Sequence, residues 1–116
     1  MSYINCFDIV SEIIDEASSQ FGSMWSVSRE KLDILKQYCS VLDNIAKESN
    51  GESFEVEVND ITMEISISLE CNDIIIRNVD GVYADLFQRA VFIEFYTTSN
   101  GNVVMKLKFP SVWEKV

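Results

Sequence analysis

The spacing of apolar residues changes once along this chain, and the change divides it into a helical part and a sheet part. Phe7, Val10, Ile14, Ala17 and Phe21 recur at spacings of three and four, with Ile13 widening the stripe. That is one face of a helix, predicted over residues 3–21 with Gly22 as its stop. Leu32, Leu35, Tyr38, Cys39, Leu42, Ile45 and Ala46 form a second such stripe. Ser26 or Ser28 caps it, Glu30 favours its first turn, Lys47 its last, and Asn50-Gly51 ends it. The short connection at 23–26 makes the two helices antiparallel neighbours.

From Phe54 the period is two. Phe54, Val56 and Val58 alternate with glutamates, and Ile61, Met63, Ile65, Ile67 and Leu69 alternate with polar residues. Asn59-Asp60 lies between the runs and suits a two-residue hairpin turn. That turn sets Val58 against Ile61, Val56 against Met63 and Phe54 against Ile65, with every apolar side chain on one face. Asn72-Asp73 repeats the device and pairs Leu69 with Ile76 and Ser68 with Arg77. Residues 82–90 fit either a short helix or a bulged strand. A last hairpin turns at Ser99-Asn100-Gly101, placing Ile93 against Leu107, Phe95 against Met105 and Glu94 against Lys106. Pro110 closes its second strand, and Trp113 folds back on the core.

The fold class is therefore α+β. Two N-terminal antiparallel helices pack on one face of a four- to five-stranded antiparallel meander sheet, leaving the other face wet. With 116 residues, no linker and no low-complexity tract, residues 1–116 read as a single domain with one core.

Chemistry is limited by what is missing. The chain has no histidine, which removes the usual serine and cysteine nucleophile activation and every histidine-containing metal site. Cys6, Cys39 and Cys71 are an odd number without paired spacing, the pattern of buried thiols in a reducing cytoplasm rather than of a disulfide framework. No glycine-rich phosphate loop, nucleophile elbow or twelve-residue calcium loop occurs. Asn59-Asp60 and Asn72-Asp73 are explained as turn formers. No basic segment precedes an apolar one at the start, and no apolar run approaches the ~20 residues that span a bilayer. The expectation is a non-enzymatic protein with no cofactor and no metal.

What remains is charge. The net charge is −10, beyond the ~2–8 of most small domains. Residues 1–28 carry four acids and no base, residues 51–85 carry nine acids against Arg77, and residues 86–116 are mildly basic. Such a chain repels nucleic acid and anionic membrane and is drawn to basic protein surfaces. The predicted contact strip is Glu55, Glu57, Glu64 and Glu70 on the wet sheet face. Glu55 stands directly across from Glu64, a like-charge pair that folding alone disfavours. Asp8, Glu12 and Glu16 extend the strip along the first helix. Carboxylates two apart on a strand lie about 6.7 Å apart, and those four apart on a helix about 6 Å, spacings that imitate a phosphate backbone. The expected role is an acidic inhibitor or adaptor docking on a basic, nucleic-acid-binding protein surface, in type like the small inhibitors phages direct at host defence. The other class of role is a self-associating structural domain, a homodimer in which the mildly basic last hairpin meets the acidic hairpins of a second copy.

Overall fold

In a computed structural model, residues 5–72 and 82–116 are described. Helix α1 spans Cys6–Phe21. It begins later than the periodicity suggests because Asn5 is extended and acts as its cap, its side-chain oxygen accepting from the backbone N–H groups of Phe7 and Asp8. Gly22 ends it with φ 86°, a left-handed conformation that costs glycine little. Helix α2 spans Arg29–Glu48, and of the two candidate caps Ser28 is the one used. Asn50, at φ 53°, turns the chain out of α2 into the sheet. The start of α1 lies beside the end of α2: the Cys6 N–H donates to Asp43 Oδ1 at 2.9 Å. The two helices are antiparallel, as their short connection requires.

That connection is more than a turn. Trp25–Val27 forms strand β1, which pairs antiparallel with a strand near the C-terminus, Trp113–Lys115. Numbered in chain order, the latter is β6. The ribbon fixes Trp113, which is buried as expected. Its ring meets Phe21 edge-on at 5.0 Å, and its Nε1 donates to Ser18 Oγ at 3.0 Å. Three-residue strands are too short to show a period, so the sequence did not announce them.

The main sheet contains β2 (Gly51–Val58), β3 (Ile65–Cys71), β4 (Phe92–Thr97) and β5 (Val103–Phe109). All neighbours are antiparallel, in the order β2-β3-β5-β4. The α+β class with an antiparallel sheet is thus the one predicted. The strand order is that of two hairpins placed side by side, not of a meander in chain order. Between them the ambiguous stretch is helical, as α3, Val82–Arg89. Its Leu86 is fully buried.

The first hairpin departs from its predicted register. Val58 pairs with Ile65, Val56 with Ile67 and Phe54 with Leu69, four residues along from the expectation. Residues 59–64 form a six-residue loop instead of a two-residue turn. Asn59 organises it: Oδ1 accepts from the N–H groups of Ile61 and Thr62, both at 2.8 Å. Its backbone N–H donates to the Glu64 carbonyl, and its carbonyl accepts from Met63 N–H. A slip of four preserves which face every side chain takes, so alternation alone cannot separate the two registers. Ile61 is left 90% exposed. The second predicted hairpin is also corrected. Leu69 has Phe54 on one side and Met105 on the other, and Ser68 has Glu55 and Lys106. Both edges are taken, and Ile76 and Arg77 lie outside the described residues. The last hairpin has the predicted pairs Ile93–Leu107, Glu94–Lys106 and Phe95–Met105. Gly101 supplies its left-handed residue at φ 84°.

The helices cover one face of the sheet. Val10, Ile14, Leu35, Cys39 and Leu42 meet Phe54, Ile65, Ile67, Leu69, Met105, Leu107 and Phe109 in one buried cluster. Tyr38 stacks on Phe109 with ring centroids 5.6 Å apart.

Candidate functional site

The face of the sheet away from the helices is laid out by the register in rows. One row runs Glu57, Ser66, Lys108, Phe92. The next runs Glu55, Ser68, Lys106, Glu94, and a third runs Ser53, Glu70, Val104, Tyr96. Acidic residues therefore occupy β2 and basic ones β5, with two small serines between. Strands two apart are about 10 Å apart, and among the described residues neither Glu55 nor Glu57 forms an ion pair. A cavity of about 180 Å³ on this face is lined by Glu55, Glu57, Ser66, Ser68, Tyr96 and Lys106.

The predicted strip is thus only partly assembled. Glu55 and Glu57 are exposed side by side on β2. Glu64 is not across from Glu55, whose partner is Ser68; it sits at the end of the 59–64 loop. The corrected register removes the like-charge pair that had singled out Glu55 and Glu64. Glu70 is half-buried and accepts a hydrogen bond from Asn102 Nδ2 at 2.8 Å. That bond ties β3 to the loop joining β4 and β5, a structural use of the carboxylate.

On α1, Asp8, Glu12 and Glu16 are all exposed, but they do not act as one row. The helix buries Cys6, Val10, Ile14 and Ala17. At 100° per residue, Asp8 and Glu12 lie opposite that stripe, whereas Glu16 is turned to its flank. There Glu16 joins Glu57 and Asp60 in lining a groove of about 280 Å³, together with Ile13, Gln20 and Val56. Three acidic residues from α1, β2 and the following loop line this groove at the outer edge of β2, and among the described residues no Lys or Arg lines it. By sequence Asp60 reads as a turn residue. Only the packing of α1 along β2 gives it this neighbourhood.

The remaining chemical groups are inward. Cys6, Cys39 and Cys71 are all buried. The Cys6 thiol hydrogen-bonds Cys39 and is buried, and both effects push its pKa far above the ordinary thiol value. Asp43 is buried, and loss of solvent raises its pKa; the Cys6 N–H and Lys47 oppose the rise, and Asp8 adds to it. Among the described residues no group of His, Cys, Asp and Glu is arranged to hold a metal ion, and no helix is long and apolar enough to cross a membrane. Compared with protein-family models, curated proteins and solved structures, the chain matches none.

Proposed function

We propose that the chain is a non-enzymatic protein–protein interaction module of the cytoplasm, an inhibitor or adaptor that sets its acidic β2 edge against a basic protein surface. The observation that carries this reading is that Glu16, Glu57 and Asp60 line one groove in which, among the described residues, no cation takes part, with Glu55 alongside on β2. Uncompensated carboxylates gathered from separate elements repel one another, and a cationic partner relieves that repulsion. A net charge of −10 speeds such an encounter and opposes direct contact with nucleic acid or anionic lipid. A surface that itself binds nucleic acid carries positive charge of the kind this edge would fit. The buried, protonated Cys6 thiol and the lack of histidine support a role without catalysis or cofactor.

The test is affinity capture from the native cell extract at low and high salt. The wild-type chain retains a basic protein at low salt and releases it at high salt. The triple reversal Glu16→Lys, Glu57→Lys, Asp60→Lys does not retain it, while Asp8→Lys with Asp15→Lys, on the far side of α1, still does. Equal retention by wild type and the triple variant removes the β2 edge from consideration.

A further inference from the structure

The sheet has two outer strands, and they are built differently. β2 carries Glu55 and Glu57, has a register irregularity between Gly51 and Ser53, and has α1 packed along it. Charge, bulges and covering elements are the devices that keep an edge from pairing with another chain. On β4 the only charge is Glu94, and among the described residues no element is packed along it as α1 is along β2. The strand runs six residues without proline or bulge and pairs, among the described residues, only with β5. Val91, Phe92, Phe95 and Tyr96 are exposed at 55%, 47%, 47% and 45%, a concentration of large apolar side chains in one short stretch. Phe92 and Tyr96 stand on the outer face, Phe95 on the helix side, so apolar surface flanks the edge on both sides. The single charge, Glu94, faces Lys106 of its own sheet.

We propose that β4 is a dimerisation edge, on which a second copy of this chain adds its own β4 antiparallel about a twofold axis to make one eight-stranded sheet. The sequence of the strand selects that occupant. With Glu94 against Glu94 of the second copy, Phe92 meets Tyr96 and Ile93 meets Phe95, each pair occurring twice. Moving the register by two in either direction sets an aromatic residue against Glu94 and leaves fewer apolar pairs. The central row then reads Lys106, Glu94, Glu94, Lys106 across the twofold; the like-charge contact at the axis opposes the pairing, and the lysine beside each glutamate offsets it. The dimer differs from a charge-driven one in which the last hairpin meets acidic hairpins. It leaves both β2 edges free at the two ends of the sheet, and it stands or falls independently of the basic-partner reading.

Sedimentation equilibrium of the full chain across a concentration series tests it. The mass of two chains is expected, with little dependence on salt because the contact is apolar and backbone-mediated. Phe92→Lys with Tyr96→Lys, both at exposed positions, weakens association by about 100-fold or more. Glu94→Cys forms an interchain disulfide on oxidation, since directly paired strand positions lie within disulfide reach. Glu55→Cys on the other edge does not, and the native thiols are buried. A single-chain mass at every concentration, or a lysine variant that associates like wild type, overturns the proposal. The Glu94→Cys result decides the matter if the lysine variant does not fold.

Discussion

Asp43 joins the first helix to the second, and replacing it separates the worth of a hydrogen-bond acceptor from that of a charge. Its Oδ1 accepts from Cys6 N–H at 2.9 Å, and Cys6 is fully buried at the first position of α1. Asp43→Ala leaves that donor unpaired in the core, at a cost of about 1–3 kcal/mol. It also removes a negative charge from a helix N-terminus, worth about 0.5–1 kcal/mol. Loss of a carboxylate held out of water offsets part of this, so a net loss of about 2 kcal/mol is expected. Against a total of about 5–15 kcal/mol that is large; it lowers the urea midpoint by about 1 M and the melting temperature by roughly 8 °C. Asp43→Asn keeps the acceptor and loses only the charge, so it changes stability by less than about 1 kcal/mol. The pH dependence has a definite sign. Burial raises the folded-state pKa above the unfolded value, so the folded chain holds this proton longer as pH rises. Stability contributed by Asp43 is therefore present in acid and declines as pH rises through the raised pKa. Urea denaturation of wild type and both variants between acid and neutral pH is the assay. Wild type loses stability relative to Asp43→Asn as pH rises. Equal destabilisation by Ala and Asn at neutral pH, or a wild-type advantage over Asn that grows with pH, refutes the reasoning.

Three further substitutions check the packing. Ile61→Ser changes stability by less than about 0.5 kcal/mol, because Ile61 is 90% exposed; the two-residue turn would have buried it, and a loss above about 1 kcal/mol in thermal unfolding would restore that register. Gly51→Ala sets a methyl group 2.7 Å from Ala46 Cβ and 2.9 Å from its Cα, and a loss of about 1–3 kcal/mol in the urea midpoint is expected. Trp113→Phe keeps an aromatic ring beside Phe21 but loses the bond to Ser18 Oγ; a cost of about 1 kcal/mol follows, read by the same titration.

The elements most legible in the sequence were those whose pattern and terminators agreed. α2 has an apolar stripe, a serine cap and a reversing Asn50, and the β4–β5 hairpin has alternating strands with Gly101 at its turn. The β2–β3 hairpin misled because Asn59 serves two turn chemistries: the backbone of a tight hairpin, or a side-chain acceptor inside a longer loop. Both satisfy the alternation, and only the second fills the hydrogen bonds seen around residues 59–64. The order β2-β3-β5-β4 was hidden because β3 pairs with β5, more than thirty residues further along the chain, a tertiary choice without a local signal. The candidate site shows the same division. Glu55 and Glu57 were found because period two puts them on the wet face. Glu64 was misplaced by the register; Glu70 lies on the expected face but is engaged by Asn102, and Asp60 was missed because Glu16 and Glu57 line a groove with it only when α1 lies along β2.

The central claim is that negative side chains at the β2 edge meet positive ones on another protein. Titration calorimetry of the captured partner across a salt series measures it. An affinity that falls steeply with salt is predicted, together with restored binding when Glu57→Lys is combined with a lysine-to-glutamate change on the partner. An affinity indifferent to salt and to the sign of residue 57 contradicts it.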